Sequence, residues 1–229
     1  FLAQAMVNLN MIDTIGSGIK RMYRDQEDVY YYITVVNENY VHPAMPEGAE
    51  EGIVKGMYLL QSAADAQVQL LGSGTILRES IAAAELLKND FGIAANVWSV
   101  TSWSELRRDG MACDRHNRLN PAASRKTSHV AASLSEQAGP VIAASDHVTA
   151  VPDLIRAYVP QRYVTLGTDG YGRSDTREKL RSFFEVDRRY VAIAALKALA
   201  DDGELKADVV AQAIKRYAVD SNRVDPWTA

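Results

Sequence analysis

The order of apolar and polar positions divides most of the chain into alternating strand-like and helix-like segments. Short, mostly apolar runs occur at 68–74, 94–102, 140–146 and 162–167, and they predict strands. Apolar spacing predicts helices at 47–60, 75–91, 124–139, 149–160, 175–184, 188–201 and 206–218, and one more after Ser102. Strands that alternate with helices pair in parallel and need cover on both faces of their sheet. The pattern therefore predicts a three-layer α/β domain with a mostly parallel sheet and helices on both faces.

Particular residues predict where some of these helices begin and end. Gly92 follows helix 75–91 in a position typical of a C-terminal cap. Ser102 and Glu105 have the spacing of a capping box, in which a hydroxyl and a carboxylate satisfy two free N–H groups. Asp175 and Glu178 have the same spacing, so we expect another helix to begin there.

The part of the chain before residue 61 is organised differently. Apolar residues in 1–26 recur mostly at threes and fours, which predicts an amphipathic helix interrupted by glycine at 16–18. The run at 29–36 is β-branched and aromatic throughout, which is typical of a strand buried on both faces. Residues 37–52 contain two prolines and two glycines and read as a linker. We expect 1–40 to be the end of a preceding domain or a fused segment, 41–60 a linker with a helix, and 61–229 a second domain.

Composition and charge argue against several classes of function. The 229 residues are 47% apolar and 24% charged with a net charge of −4, which is typical of a globular protein without the basic surface that nucleic acids favour. No apolar run approaches the roughly 20 residues of a membrane helix. The single cysteine, Cys113, and a start without a signal-peptide pattern predict a cytoplasmic protein. The four histidines lack the spacing of zinc ligands, so we predict no metal site.

A glycine-rich segment, residues 167–178, joins the last predicted strand to a charged helix, and we call it the glycine turn. The residues alone leave open phosphate binding, a catalytic role, or contact between two pieces of protein. No lysine follows the glycines as a P-loop requires, and Gly167, Gly170 and Gly172 lack the spacing of a dinucleotide fingerprint. Sharp strand-to-helix turns explain the glycines structurally. The charged residues Asp169, Arg173, Asp175 and Arg177 favour a salt-bridged loop at an interface over catalysis.

Several longer stretches resemble one known family when they are read together. They are EDVYYYITVVNENYVHPAMPEGAEEGIVKGMYLL, VQLLGSGTILRESIAAAELL, WSVTSWSELRRDGMACDRHNRLNP and YVPQRYVTLGTDGYGRSDTREKLRSFFEVDRRYV, with the closing helix. The family is the homodimeric, bacterial-type pyruvate dehydrogenase, the thiamin diphosphate-dependent decarboxylating component of the pyruvate dehydrogenase complex. The resemblance covers residues 20–229. In that family these residues correspond to the end of the middle, pyrimidine-binding domain and the whole transketolase-type C-terminal domain.

The resemblance implies that the chemistry resides outside this chain. The full enzyme of that family decarboxylates pyruvate on thiamin diphosphate with Mg²⁺ and passes the acetyl group to a lipoyl arm of dihydrolipoyl acetyltransferase. The family's Gly-Asp-Gly motif with its later paired asparagines, its activating glutamate and its pocket histidines belong to upstream segments. We therefore expect no catalytic, cofactor-binding or metal-binding residue in this chain, and no activity of the chain alone.

The resemblance also implies a role in assembly. The family's C-terminal domain packs across the two-fold axis of a homodimer, and in related dehydrogenases it helps to dock the acetyltransferase. We expect the glycine turn to be an assembly loop whose interface residues are Asp169, Arg173, Asp175 and Arg177. Two alternatives stay open: the C-terminal domain of another thiamin diphosphate enzyme such as a transketolase, and a module that acts only in docking.

Residues 1–18 depart from the family pattern. They resemble a short segment of the GHKL-type ATP-binding domains of bacterial transcriptional regulators, most clearly at the letters IGSGI. The Asn-bearing helix and the Asp-x-Gly motif that hold Mg²⁺-ATP in those domains do not accompany it, so we expect no ATP site. A divergent family helix and a fused segment both explain the departure.

Overall fold

A five-stranded sheet organises the chain in the computed structural model, which describes residues 40–41 and 43–229. Its strands are β1 (Met57–Gln61), β2 (Val68–Ser73), β3 (Ala95–Val100), β4 (Val141–Ala144) and β5 (Tyr163–Leu166). They lie in the order β1-β3-β2-β4-β5; β1 pairs antiparallel with β3 and the other pairs are parallel. The predicted parallel sheet is confirmed, with one antiparallel strand added at its edge. The helix predicted in 1–26 and the strand predicted at 29–36 lie outside the described residues.

The helices follow the strands in the predicted alternation. They are α1 (Glu50–Lys55), α2 (Leu77–Phe91), α3 (Trp103–Leu119), α4 (His129–Leu134), α5 (Arg177–Phe183), α6 (Arg188–Asp201) and α7 (Ala207–Arg216), with 3₁₀ turns at Gly74–Ile76 and Pro152–Tyr158. Gly92 caps α2 at φ +68, and the Ser102 hydroxyl accepts a hydrogen bond from the N–H of Glu105 at 3.1 Å, so both predicted helix ends are confirmed. The carboxylate half of the predicted capping box is wrong, because the Ser102 N–H donates to the carbonyl oxygen of Gly56. Within the described part of the chain, no helix has the length and apolar character needed to cross a bilayer.

The segment around Gly56 departs from the single helix predicted over 47–60. α1 ends at Lys55, Gly56 has φ +105, and β1 follows directly. A positive φ is accessible to glycine without steric cost and ends the helix. The backbone also approaches closely at this point, because a Cβ on Gly56 would lie 2.7 Å from the carbonyl oxygen of Ser102. The prediction was wrong for 57–60, since β1 is stabilised by pairing with the distant β3 and local apolar spacing carries no information about that partner.

Two other predicted helices are shorter or tighter than expected. Over 124–139 only His129–Leu134 is α-helical, because the preceding backbone is held by another partner. Asn117 of α3 donates to the carbonyl oxygen of Lys126 at 2.9 Å and accepts from the N–H of Lys126 at 2.8 Å. Over 149–160 the chain forms a 3₁₀ turn with Pro152 at its start, as the proline position predicted.

Two buried clusters cover the two faces of the sheet. On one face α2, α6 and α7 pack against side chains that include Leu70 and Ile142. On the other face α3, α4 and the second 3₁₀ turn pack against side chains that include Leu71 and Val141. Neighbouring residues of one strand point to opposite faces, so Leu70 and Leu71 serve different clusters. This arrangement confirms the predicted three-layer architecture.

Candidate functional site

The carboxyl ends of β2 and β4 lie side by side in the interior of the sheet. From β2 the chain continues to β3 on one side, whereas β4 lies on the other side of β2. In open α/β sheets, ligands bind in the crevice that forms where successive connections diverge in this way. Ser73 and Ser145 meet at this point, with their buried hydroxyl oxygens 2.8 Å apart. The glycine turn leaves β5 at the same edge of the sheet.

The first part of the glycine turn is bound to the loop that follows β4. The N–H of Thr168 donates to the carbonyl oxygen of His147 at 2.9 Å. The carboxylate of Asp169 accepts from the N–H of Thr149 at 3.2 Å. A Cβ on Gly167 would lie 2.6 Å from the His147 oxygen, so this close approach requires glycine. Asp169 thus fixes the shape of the turn from within the chain.

The middle of the glycine turn packs against residues 219–229. Gly170 has φ +108, and a Cβ at this position would lie 2.7 Å from the carbonyl oxygen of Pro226. Tyr171 follows Gly170 and is 82% exposed, and Trp227, whose Cα would lie 2.9 Å from that Cβ, is 64% exposed. We call these two side chains the aromatic patch. Exposed aromatic side chains in such a group are typical of surfaces that contact other protein.

The second part of the glycine turn is held by stacking on an aromatic ring. The guanidinium of Arg173 lies 4.3 Å from the centroid of the Phe183 ring, within the range of a cation–π interaction. Arg223 lies 5.1 Å from the same centroid and donates to the carbonyl oxygens of Ser182 and Phe183. Arg173 therefore connects the turn to α5, and Arg223 connects residues 219–229 to the same helix.

The start of α5 differs by one residue from the predicted cap. The N-cap is Thr176, whose hydroxyl accepts from the N–H of Lys179 at 3.4 Å, and not Asp175. Asp175 accepts from the N–H of Thr176 at 2.7 Å and lies 3.8 Å from the ammonium of Lys179. The predicted pairing of Asp175 with Glu178 as a capping box is therefore wrong, because Asp175 closes the turn before the helix.

A cleft of about 310 Å³ opens between the carboxyl edge of the sheet and α5, and we call it the arginine cleft. Its lining residues are Thr75, Ile76, Asp146, Thr168, Gly170, Gly172, Arg173, Arg177, Leu180, Arg181, Phe184 and Val186. Arg177 and Arg181 are four residues apart on α5, which places both on one face of the helix. Of the four predicted interface residues, the structure thus places Arg173 and Arg177 in this cleft, while Asp169 and Asp175 bind backbone N–H groups.

Glu79 was not predicted from the sequence. It forms ion pairs with Arg181, which lines the arginine cleft, and with Arg188. Its side chain is only 5% exposed, and its carboxylate lies 3.3 Å from Arg181 and 2.9 Å from Arg188. It also accepts from the backbone N–H of Arg188 at 3.1 Å, and this set of hydrogen bonds raises the pKa of Arg188. The burial of Glu79 could have been predicted from its spacing. It lies four residues before Ala83 and eight before Leu87, on the buried face of α2.

The metal-ligating side chains of the described residues do not gather into a cluster. Mg²⁺ is held through carboxylates and water together with the phosphates of its ligand. Among residues 40–41 and 43–229, no group of three or more His, Cys, Asp and Glu side chains is placed to share a metal ion. Among the described residues that line the arginine cleft, Asp146 supplies the one carboxylate.

Two family models match this chain, one near its start and one over its main domain. Residues 56–187 match the family model of the transketolase-like TK C-terminal domain. Residues 7–43 match the family model of the pyruvate dehydrogenase E1 component middle domain. The second match includes residues 7–18, so from residue 7 onward the family model replaces the expected resemblance to ATP-binding regulators.

Similar proteins agree with these two matches. The chain is 57% identical over 215 residues to the pyruvate dehydrogenase E1 component of Cupriavidus necator, covering 92% of this chain and 24% of that protein. It is 49% identical over 216 residues to the component of the same name from Escherichia coli K12, covering 93% and 24%. The chain thus spans about a quarter of the length of these relatives.

A structural comparison finds transketolases. One of them, transketolase from Leishmania mexicana, has a TM-score of 0.46 and 18% identity, covering 66% of this chain and 19% of that one. The family models and the two relatives carry the assignment. The chain belongs to the family of transketolase-like TK C-terminal domains and corresponds to the C-terminal region of the pyruvate dehydrogenase E1 component.

Proposed function

We propose that the complete protein to which this chain belongs is a pyruvate dehydrogenase that decarboxylates pyruvate on thiamin diphosphate and transfers the acetyl group to a lipoyl arm. The observation that carries this proposal is the 57% identity over 215 residues to a pyruvate dehydrogenase E1 component. The transketolase alternative has weaker support, since the transketolase structures share about 20% identity with the chain. In this proposal the chain contributes assembly, and the remaining part of the enzyme contributes the catalytic groups.

An assay of the complete gene product tests the reaction. With thiamin diphosphate and Mg²⁺ present, pyruvate should be turned over, and ketose phosphates should not transfer a two-carbon unit. The isolated 229-residue chain should show no turnover of pyruvate under the same conditions. Transfer from ketose phosphates without pyruvate turnover would establish the transketolase alternative, and turnover by the isolated chain would refute the division of roles.

We propose further that the glycine turn is an assembly loop, with the aromatic patch as its contact surface. Asp169, Arg173 and Asp175 support this role by fixing the shape of the turn through the Thr149 N–H, the Phe183 ring and the Thr176 N–H. The exposed side chains of Tyr171 and Trp227 then project from a rigid base. A second subunit or another part of the complete enzyme would bury them, and the hydrophobic effect would stabilise the dimer.

Charge reversal at Arg173 tests the assembly loop. Arg173→Glu replaces the cation above Phe183 with an anion that the ring face repels, so the turn should lose its shape. In sedimentation experiments on the complete enzyme, the dimer should dissociate at concentrations at least about tenfold higher than for the wild type, a loss of roughly 1.4 kcal/mol. Arg125→Glu, the same substitution at an exposed loop position outside the glycine turn, is the control. An unchanged dimer in Arg173→Glu combined with a loss of pyruvate affinity would assign the turn to substrate binding.

Docking of dihydrolipoyl acetyltransferase stays a prediction from the family resemblance. Isothermal titration of the complete enzyme with the peripheral subunit-binding domain of the acetyltransferase measures it. The isolated 229-residue chain should then compete for that domain if docking uses this region. Binding to the complete enzyme without competition from the chain would place the docking surface elsewhere in the enzyme.

A further inference from the structure

We propose that the outer side of α3 binds an acidic surface of a partner protein. Six exposed cations lie on this helix and on the loop that follows it, and we call them the basic face: Arg107, Arg108, Arg115, Arg118, Arg125 and Lys126. The helix packs on the face of the sheet opposite to α2, α6 and α7. The proposal goes beyond the proposed reaction and the assembly loop, and its partner is a protein other than the second subunit.

The cations of α3 form a continuous stripe along the helix. Arg107, Met111, Arg115 and Arg118 follow one another at intervals of four, four and three residues, which places them on one side of the helix. Arg108 lies beside this stripe, and its side chain is 73% exposed. The helix therefore presents positive charge outward. Its buried residues lie on the other side: Trp103, Leu106, Gly110 and Cys113.

The loop after α3 adds two cations at a fixed position. The side chain of Asn117 donates to the carbonyl oxygen of Lys126 at 2.9 Å and accepts from the N–H of Lys126 at 2.8 Å. These two hydrogen bonds tie the backbone of Arg125 and Lys126 to the C-terminal end of α3. A backbone that is already fixed loses little conformational entropy when a partner binds.

The three carboxylates of α3 leave most of the basic face without a counter-charge. Glu105 forms an ion pair with Arg108. Asp109 accepts from the backbone N–H of His129 at 2.6 Å, and Asp114 hydrogen-bonds with a tyrosine hydroxyl of the second 3₁₀ turn. Within the described part of the chain, the other five members of the basic face form no ion pair with a carboxylate. The basic face is therefore a local excess of positive charge on a protein whose net charge is −4.

Stabilisation of α3 through its dipole does not account for the basic face. Cations are favourable in the last turn of a helix, where Arg118 lies, and the effect fades within one turn. Arg107 and Arg108 lie in the first half of α3, where the dipole does not favour cations. Arg125 and Lys126 lie outside the helix. A binding partner with negative charge accounts for all six positions.

The side chains of this surface favour a protein as the partner. Five of the six cations are arginine, whose guanidinium binds carboxylates through paired N–H donors. Two exposed apolar side chains accompany them, Met111 at 53% and Leu119 at 58%, and the Nε–H of Arg107 contacts the sulfur of Met111 at 3.5 Å. Contact surfaces between proteins are enriched in arginine and methionine. The complementary surface carries Asp and Glu side chains around an apolar residue.

Fluorescence anisotropy of a labelled helical peptide with the complete enzyme tests the proposal. The peptide carries glutamate residues around a stripe of leucine residues, and it should bind at low ionic strength and more weakly as salt is added. Arg115→Gln combined with Arg118→Gln should weaken binding by about tenfold, since two ion pairs with the peptide are lost. Lys88→Gln combined with Lys206→Gln removes two exposed charges from the opposite layer and should change the affinity less than about twofold.

A variant without a charge change tests the class of partner. Met111→Ser should weaken binding of the acidic peptide by about threefold with an unchanged melting temperature, because this side chain is exposed in the free enzyme. An unchanged affinity in this variant, or equally tight binding of an RNA oligonucleotide or of phosphatidylglycerol vesicles, would overturn the assignment to a protein partner.

Two outcomes would overturn the site itself: absence of binding to the wild-type enzyme, and equal losses in the arginine and lysine double variants. Pyruvate turnover should be the same in all of these variants. Failure of the basic face to bind the peptide is therefore distinguishable from failure of the proposed reaction.

Discussion

Replacing Glu79 with glutamine should destabilise the fold by about 3 kcal/mol. The carboxylate is nearly fully buried, and it receives the guanidinium groups of Arg181 and Arg188 and the backbone N–H of Arg188. Removing one partner of a buried ion pair costs roughly 3–5 kcal/mol, because the remaining charge loses its compensation. We expect a loss at the lower end of this energy range, because the side chain of Arg188 is 48% exposed and water can hydrate it.

Urea unfolding followed by tryptophan fluorescence measures this effect, because Trp98 and Trp103 are buried in the second cluster. With a slope of about 2 kcal/mol/M, a loss of 3 kcal/mol lowers the midpoint by about 1.5 M. Glu85→Gln on the exposed side of α2 is the matched control and should stay within about 0.5 kcal/mol. A loss below about 1 kcal/mol in Glu79→Gln would refute the view that this carboxylate holds α2 to α5 and α6.

Two further substitutions test the backbone of the fold. Glu185 follows α5 with φ +59, and the N–H groups of Glu185 and Val186 donate to the carbonyl oxygens of Ser182 and Arg181 in a Schellman motif. Glycine adopts this backbone angle without steric cost, so Glu185→Gly should stabilise the chain by about 1 kcal/mol. Burial raises the pKa of Glu185, so its contribution to stability is present at low pH and lost as the pH rises. The gain should therefore be larger at neutral pH than in acid, and a pH-independent gain would assign the whole effect to φ. Gly110→Ala should lower the melting temperature, because its Cβ would lie 2.3 Å from the ring of Tyr158; overpacking costs about 1–3 kcal/mol and exceeds the gain of about 1 kcal/mol in helix propensity. The loss should vanish in a Tyr158→Ala background, and its persistence there would exclude the clash as its cause.

The local features of the fold were predictable wherever one segment carries its own signal. The strand at 68–74 was predicted from its apolar residues Val68, Leu70 and Leu71 and the glycine-containing turn that ends it, and the structure has it at Val68–Ser73. Helix 188–201 was predicted with the bounds that the structure has, because its apolar positions recur at helical spacing. Gly92 and Ser102 marked helix ends through short-range chemistry that the sequence displays directly.

The charges of the glycine turn were predictable as a group but not in their roles. The sequence places Asp169, Arg173, Asp175 and Arg177 within nine residues, and it predicts a loop fixed by charge. In the structure the two aspartates accept backbone N–H groups, and Arg173 stacks on an aromatic ring. Phe183 and Thr149 are the partners that decide these roles, and neither belongs to the turn itself.

By itself the sequence determined the alternation of strands and helices, the parallel sheet and the family, because each follows from patterns within one segment or from matches along the chain. Tertiary structure alone decided that β1 is an antiparallel edge strand, that buried Glu79 receives two arginines, and that three guanidinium groups share one cleft. The physical reason is separation along the chain. Glu79 and Arg188 are 109 residues apart, and such contacts form only when packed layers bring distant segments together.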